Sequence, residues 1–338
     1  MTSPRPAELT GLLERHGLLG QPQEAMLHDG WSGARLTRLA RPDGARFVLK
    51  QDSQALDWIA RVTDDRTLRE ATLVAAAPEM PPPVRLPHLG VAREGDDVFL
   101  LMPDLTGSLL TWEAPIDVPT LDRVLHALAA LHHAPWHAQL PPAFAWTDLR
   151  RRVLLLTRRS AAAYEADGLA IGERFRLGWE AFDRQAPPPA RALIDRLTDD
   201  AEPLVAALGR LPGAGLHGDL KLGNVSLATG GAVQLIDWQM TLVAPIAVEL
   251  GWFLVANVAG LPLPPEDVLE TYRRAAGLPD DDLWVAQVDL AVLVGLMLRG
   301  WRKGFDAEDG LTLSYGGSAV DDLAWWGDKA VAAARRRL

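Results

Sequence analysis

The feature that most constrains the fold is a change in sequence pattern near residue 103. Before this point, short apolar runs alternate with turn sequences such as Pro42-Asp43-Gly44, a pattern typical of antiparallel strands. After it, apolar residues recur mainly at helical spacing, with one β-rich stretch over 216–237. The pattern predicts an α+β chain with a small β-rich lobe, residues 1–103, and a larger, mainly helical lobe, residues 104–338.

The small lobe is predicted to hold five antiparallel strands and one inserted helix. The strand-like runs are Glu24–His28, Ala34–Arg41, Ala45–Gln51, Val84–Val91 and Val98–Met102. A helical pattern over Asp64–Ala77 lies between the third and fourth runs and ends at Pro78. A small β-rich lobe joined to a helical lobe is the outline of a protein-kinase-like bilobal fold.

Composition excludes several classes of protein. The 338 residues carry 34 basic and 44 acidic side chains, a net charge of −10, which argues against a nucleic-acid partner. No uninterrupted apolar run reaches the roughly 18 residues of a membrane span, so no membrane is expected. The chain has no cysteine, which excludes disulfides and fits a cytoplasmic location.

The residues that carry chemistry lie in and after the β-rich stretch. The segment 216–225 reads L-H-G-D-L-K-L-G-N-V and places Asp219 and Asn224 on one loop. Asp237 follows an apolar strand, V-Q-L-I, that would deliver its carboxylate to the sheet edge. Phosphoryl transfer needs such a set, because one carboxylate orients the acceptor hydroxyl and two oxygen ligands hold Mg²⁺ on the phosphates.

H-G-D-x-x-x-x-N followed by I-D-W resembles the catalytic and metal-binding motifs of the aminoglycoside phosphotransferase and choline kinase superfamily. The resemblance covers nearly the whole chain. It implies that Asp219 is the catalytic base, that Asn224 and Asp237 are magnesium ligands, and that ATP is the phosphate donor. Many relatives have His-Pro after H-G-D-L, whereas Lys221 and Leu222 stand here, as in serine/threonine protein kinases. Lys221 is therefore expected to reach the γ-phosphate as a second catalytic group.

The resemblance also implies a nucleotide site in the small lobe. The run F-V-L-K places Lys50 at the end of the third strand, where kinases grip the α- and β-phosphates. Glu70, on the helix that follows, is its expected carboxylate partner. The loop over 29–34 should cover the phosphates, although it has fewer glycines than G-x-G-x-x-G. The remaining implied nucleotide contacts are Gly30, Ser32, Gly33 and Met102.

Two residues are expected to act as braces rather than as catalysts. His217 precedes the proposed base by two positions and is expected to support its loop. Glu249 stands where relatives usually have Asp after the metal strand, and we interpret it as a structural support.

The acceptor is predicted to be a small hydroxyl compound. A cationic group on it is one interpretation of the C-terminal residues, and the other is that the tryptophans belong to the core and the acids to a solvated surface. Aromatic faces close to carboxylates suit an amine or a sugar, and such side chains are concentrated near the C-terminus. The tryptophans and acids are Trp301, Trp325, Trp326, Asp306, Glu308, Asp309, Asp321, Asp322 and Asp328.

The sequence therefore predicts an ATP- and Mg²⁺-dependent kinase of an antibiotic, amino sugar or similar metabolite, as a monomer or homodimer. A nucleotide-binding pseudokinase is the first alternative, although none of the four residues whose loss usually marks a dead kinase is missing: Lys50, Asp219, Asn224 and Asp237. A protein kinase is the second alternative. Against it, Gly218 replaces the Arg of H-R-D, and only about a dozen residues separate Asp237 from Glu249, too few for a long activation segment.

Overall fold

The structure is a computed structural model that describes residues 8–26, 32–111 and 114–338. In these ranges the strands are β1 (Gln23–Met26), β2 (Arg35–Ala40), β3 (Arg46–Asp52), β4 (Val84–Arg85), β5 (Gly90–Glu94), β6 (Asp97–Pro103), β7 (Ala214–Leu216), β8 (Val225–Leu227), β9 (Val233–Leu235) and β10 (Leu242–Ala244). The helices of the small lobe are α1 (Glu8–Arg15), α2 (Trp58–Val62) and α3 (Arg69–Ala76).

The small lobe is a five-stranded antiparallel sheet in the order β1-β2-β3-β6-β5. Because side chains alternate along each strand, one face presents Leu49 and Leu101 to Leu12 of α1. The other face presents Leu100 to Ala71 of α3. Both faces are thus covered by helices, and the predicted sheet with a helix after its third strand is confirmed.

Two details of the small lobe differ from the sequence prediction. The fourth predicted strand, Val84–Val91, is wrong as a single element: β4 pairs in parallel with β9, and only β5 joins the sheet. Pro87 lies between these two strands, where its missing N–H cannot contribute to a ladder.

The helix predicted over Asp64–Ala77 begins only at Arg69 and is preceded by the separate helix α2. Asp64 and Leu68 have positive φ angles, 54° and 52°, so the chain between the two helices cannot be helical.

The large lobe is mainly helical, as predicted. Its helices are α4 (Val118–His133), α5 (Leu149–Leu154), α6 (Arg158–Ala166), α7 (Ala170–Gln185), α8 (Pro188–Asp199), α9 (Glu202–Gly209), α10 (Ile246–Ala256), α11 (Pro265–Ala275), α12 (Asp282–Glu308) and α13 (Ala319–Arg337). The stretches 149–166 and 190–208, in which apolar residues recur at helical spacing, each form two helices. The division of the chain at residue 103 stays a prediction.

Helix α12 is the centre of the large lobe and packs against α7, α10 and α13. A Cβ on Gly251 of α10 would lie 2.2 Å from the carbonyl oxygen of Ala291, so glycine permits the close approach of α10 and α12. By length and composition α12 could cross a membrane, but 78% of its apolar window is buried inside the protein, as in a core helix. It continues past Arg299, where the backbone leaves helical geometry at φ −136° and ψ 20°.

Candidate active site

The loop that carries Asp219 lies between β7 and β8, and its geometry depends on glycine. Gly218 has a φ of 84°, and a Cβ there would lie 2.0 Å from the carbonyl oxygen of Met240. A larger residue at this position would therefore displace the loop. The Asp219 N–H donates to Nδ1 of His217 (3.2 Å), so Nε2 of His217 carries the proton that is donated to the Ile236 carbonyl oxygen (2.9 Å). His217 thus supports the loop, as expected.

Glu249 supports the same loop from helix α10. It is fully buried on α10 and accepts from the backbone N–H groups of His217 (3.0 Å) and Gly218 (2.6 Å). His132 of α4 also donates to it through Nε2 (3.0 Å). Burial alone would raise the pKa of Glu249, but the hydrogen bond and charge of His132 hold that pKa below its ordinary value. Glu249 is therefore a charged brace, in agreement with its interpretation from the sequence.

Two further supports of the loop were not identified from the sequence. Arg152 of α5, which is 1% exposed, donates from Nε and Nη2 to the Gly218 carbonyl oxygen at 3.1 and 2.8 Å. Asn257 accepts from the Leu222 N–H at 2.7 Å. Arg152 is one of three consecutive arginines, so nothing in its local sequence distinguishes it from its exposed neighbours.

Asn224 is held in a defined orientation beside Asp219. Its Nδ2 donates to the Asp219 carbonyl oxygen (2.8 Å) and to Oδ2 of the same residue (3.3 Å). Within the part of the chain that the structure describes, this leaves Oδ1 of Asn224 without a hydrogen bond. The Ile236 N–H donates to the Asn224 carbonyl oxygen (3.1 Å), which places Asn224 next to the strand that ends at Asp237.

Lys221 lies beside Asp219. Its Nζ is 3.2 Å from Oδ2 of Asp219, and its side chain remains 41% exposed. The structure therefore brings the two predicted catalytic residues together. A contact between Lys221 and a γ-phosphate stays a prediction.

Lys50, Glu70 and Asp237 form a buried ion cluster between the lobes. Nζ of Lys50 lies 2.6 Å from Oε2 of Glu70 and 2.8 Å from Oδ1 of Asp237. Burial by itself would lower the pKa of Lys50, but the charges of Asp237 and Glu70 raise it well above its ordinary value. The pairing of Lys50 with Glu70 that the sequence predicts is therefore present, and Lys50 is a cation at neutral pH.

Glu70 also fixes the backbone at Asp237. Its Oε1 accepts from the N–H groups of Asp237 (2.9 Å) and Trp238 (3.1 Å). Asp237 has a φ of 69°, and its Oδ1 accepts from Lys50 and from Nε2 of Gln239 (2.9 Å). No described residue donates to Oδ2 of Asp237, so this oxygen is available to a ligand.

The predicted phosphate loop is described only in part. Gly30 lies outside the described residues. Gly33 has a φ of 97°, and a Cβ there would lie 2.2 Å from the Leu56 carbonyl oxygen, while the Ser32 carbonyl oxygen accepts from the Trp58 N–H (3.1 Å). Ser32 and Gly33 are thus fastened to the start of α2. Met102 is a buried residue of β6 opposite Val48, and its contact with a nucleotide stays a prediction.

Two more carboxylates that the sequence did not single out lie near Lys50. Asp57 caps α2 through Oδ1, which accepts from the Ile59 N–H at 2.7 Å, while its Oδ2 is buried without a partner. Burial and the nearby Asp52 raise the pKa of Asp57 to about 8. Burial likewise raises the pKa of Asp52 to about 6. The side of the cleft around Lys50 therefore has more acidic groups than basic ones.

The donor set fits a magnesium ion only in part. Asn224 and Asp237 each present one oxygen without a hydrogen bond from a described residue, and hard oxygen ligands are those that Mg²⁺ prefers. Residues 8–26, 32–111 and 114–338 contain no group of three or more His, Cys, Asp or Glu side chains arranged for a metal. Two protein oxygens would thus hold the ion together with the phosphates of a nucleotide rather than alone.

The chain is similar to known proteins in sequence and in fold. A sequence model described as the phosphotransferase enzyme family matches residues 27–286. No curated protein sequence matches significantly. A choline kinase structure from Cryptosporidium parvum Iowa II is similar at a TM-score of 0.53 and 10% identity, over 97% of this chain and 94% of that one.

A spectinomycin phosphotransferase in complex with ADP and spectinomycin is similar at a TM-score of 0.51 and 15% identity, over 97% of this chain and 100% of that one. At these identities the two structures establish a shared fold, which confirms the predicted protein-kinase-like α+β architecture.

Proposed function

The chain belongs to the phosphotransferase enzyme family, and from this premise we propose that it transfers the γ-phosphate of ATP to a hydroxyl group of a small molecule. One observation carries the proposal. The Lys50–Glu70 pair contacts Asp237, and the N–H of the adjacent Ile236 donates to the carbonyl oxygen of Asn224, which is hydrogen-bonded to Asp219.

The arrangement supports a direct transfer. The acceptor oxygen attacks the γ-phosphorus, the bond from that phosphorus to the bridging oxygen breaks, and ADP leaves. Asp219 accepts the hydroxyl proton, and Lys221 beside it compensates negative charge on the transferred group. Lys50, held by Glu70, pairs with the nucleotide phosphates. Magnesium, held by Asn224 and Asp237, would neutralise charge on the phosphate oxygens when it is bound.

We propose an acceptor of the kind that this fold commonly serves, an antibiotic, amino sugar or similar metabolite. The cationic group predicted from the sequence has weaker support than the hydroxyl. Asp322 is paired with Lys303 (2.5 Å) and Asp306 with Arg302 (2.8 Å), so two of the acids that motivated it are already neutralised.

The test combines nucleotide binding with turnover. Mg²⁺–ATP is expected to raise the unfolding temperature of the protein, and removal of Mg²⁺ with EDTA to reduce that shift, because two protein ligands alone do not hold the ion. ADP release is then measured with a panel of hydroxyl compounds. Asp219→Asn should abolish acceptor-dependent ADP release, whereas Asp280→Asn, an exposed control, should not.

A metal-independent shift with no ADP release for any acceptor would favour a pseudokinase. Phosphate transfer to a protein, with no small-molecule acceptor, would favour the protein-kinase alternative.

A further inference from the structure

Arg299 occupies an unusual position on the central helix. It is the residue at which α12 leaves helical geometry, at φ −136° and ψ 20°. Its guanidinium carbon lies 5.7 Å from the ring centroid of Trp252 and 5.5 Å from that of Trp301. Nε of Arg299 is buried without a hydrogen-bond partner, although the residue as a whole is partly exposed. The side chain is therefore held between two indoles while part of it can be reached from the solvent.

Trp252 connects Arg299 to the catalytic loop. The guanidinium carbon of Arg152 lies 4.7 Å from the same Trp252 ring, and Arg152 donates to the carbonyl oxygen of Gly218, the residue before Asp219. Burial lowers the pKa of Arg299 to about 10, while the charges of Asp306 and Asp219 oppose that shift. Arg299 is thus a cation at neutral pH and is close enough to Asp219 for their charges to interact.

The carboxylates around Arg299 already have other cationic partners. Asp306 pairs with Arg302 (2.8 Å), and Asp219 with Lys221 (3.2 Å). Asp322 is shared by Lys303 and the hydroxyl of Tyr315 (3.1 Å). Within residues 8–26, 32–111 and 114–338, no carboxylate forms an ion pair with Arg299.

The groups around Asp219 and Arg299 carry more positive than negative charge. The cations are Arg152, Lys221, Arg299, Arg302 and Lys303, and the carboxylates are Asp219, Glu249, Asp306 and Asp322. This excess of positive charge occurs in a chain whose net charge is −10. The Nε–H of Arg299 is buried without a hydrogen-bond acceptor, and an incoming anion would supply one.

We propose that Arg299 determines acceptor specificity, and that the preferred acceptor is a hydroxyl compound with a carboxylate or phosphate group that pairs with this guanidinium. The planar fork of an arginine binds either anion through two parallel hydrogen bonds. The inference rests on the proposed phosphotransferase function, since it concerns the acceptor of that reaction. It replaces the cationic acceptor expected from the sequence.

The first test is a set of matched acceptors, with ADP release as the readout. Gluconate is compared with gluconamide, ribose 5-phosphate with ribose, and glucosamine serves as the cationic compound. The anionic member of at least one pair is expected to give the higher kcat/KM, and the pair in which this occurs distinguishes a carboxylate from a phosphate. Equal rates within both pairs, or a preference for glucosamine, would overturn the proposal.

The second test measures binding and does not depend on having found the natural acceptor. With the nucleotide site saturated by ADP and Mg²⁺, malonate and inorganic phosphate are titrated while the unfolding temperature is recorded. At least one of them is expected to stabilise the wild type. Arg299→Gln should weaken that binding by about tenfold to a hundredfold, since a charge-assisted hydrogen bond is lost.

Arg299→Lys keeps the charge and should retain part of the affinity. Arg336→Gln is the matched control, because Arg336 lies on α13 and its guanidinium pairs with Asp289 of α12.

The outcomes distinguish the specificity proposal for Arg299 from the proposed phosphotransferase function. If Arg299→Gln weakens ATP binding and leaves the anion response unchanged, Arg299 belongs to the nucleotide site and the specificity proposal is wrong. An identical anion response in wild type and Arg299→Gln would have the same consequence. If neither Mg²⁺–ATP nor any acceptor produces a response, the phosphotransferase function itself fails, and this is visible before any variant is compared.

Discussion

The surroundings of Lys50 and of Asp219 differ in charge. Lys50 contacts two carboxylates, Glu70 and Asp237, and a third, Asp52, lies nearby, while Asp57 is protonated at neutral pH. Around Asp219 the cations are in excess, and Arg299 has no carboxylate partner among the described residues. The Lys50 side therefore has an excess of negative charge, and the Asp219 side has an excess of positive charge.

This difference suggests what each side needs in order to function. On the Lys50 side the acidic groups would repel the phosphates of a nucleotide, and the proposed Mg²⁺ would offset that repulsion. On the Asp219 side an added anion relieves the excess positive charge. A single net charge for the whole chain, −10, conceals this division.

Asp219→Asn is expected to give the largest difference between an effect on phosphate transfer and an effect on ATP binding. The variant keeps the size of the side chain but cannot accept the acceptor's proton, so turnover should fall by about 10²–10⁴-fold, or roughly 3–5 kcal/mol of barrier. ATP affinity should stay close to that of the wild type, because Asp219 is on the acceptor side. Single-turnover phosphate transfer and ATP titration measure the two quantities separately.

Retained turnover in Asp219→Asn would contradict the catalytic assignment. Lost ATP binding in a folded variant would instead place Asp219 among the metal ligands.

Lys50→Met should affect the other side, and in a different way. Removing the cation leaves Glu70 and Asp237 buried as like charges, so the protein should lose about 3–5 kcal/mol of unfolding free energy as well as ATP affinity. Denaturant unfolding and ATP titration measure these effects. The double variant Lys50→Met/Glu70→Gln should recover part of the stability but none of the ATP affinity; recovery of ATP binding would show that Lys50 does not contact the nucleotide.

Glu249→Gln tests the support beneath the acceptor side. A neutral amide keeps one acceptor oxygen but loses a charge-assisted hydrogen bond to His217 or Gly218, so unfolding should become easier by about 2 kcal/mol. Because the loop carries Asp219, kcat should fall while ATP affinity changes little. Equal losses in kcat and ATP affinity would indicate that the loop also positions the nucleotide.

The catalytic motif and the lobe order were predictable from the sequence because they depend on local spacing. Lys50 lies near the end of β3, Asp219 lies in the loop after β7, and Asp237 comes shortly after β9. Glu70 lies on α3, a helix that follows the third strand. The residues missed are those whose role depends on tertiary contacts. Arg152 is one of three adjacent arginines, and its bond to Gly218 joins residues 66 positions apart.

The balance of charges around Asp219 also depends on tertiary contacts, and the sequence alone could not predict it. The sequence shows the acids near the C-terminus but not which cations neutralise them. Lys303 meets Asp322 through the packing of α12 against α13, which composition cannot reveal. The pair of Arg302 with Asp306 has the i,i+4 spacing of a helix and could have been predicted. No proline lies at the kink at Arg299, so the sequence does not predict the kink. The lack of a carboxylate partner for this side chain among the described residues is therefore visible only in the structure.

An effect that depends on pH is expected from Asp57→Asn on the Lys50 side. In the folded protein burial raises the pKa of Asp57 to about 8, above the value of about 4 for an unfolded chain. The folded state therefore binds the proton more tightly, so stability is greatest at low pH, falls as pH rises from about 4 to about 8, and is then constant.

Asn keeps the oxygen that caps α2 and cannot ionise, so the variant should lack this part of the pH dependence and should be more stable than the wild type at pH 8. Asp52 remains and leaves a slope between about pH 4 and about pH 6 in both proteins. Denaturant unfolding of both proteins at pH 5 and pH 8 measures the difference. An equal change in the two proteins between these pH values would show that Asp57 is already ionised at pH 5, and the acidic excess beside Lys50 would then be a permanent charge that magnesium must offset.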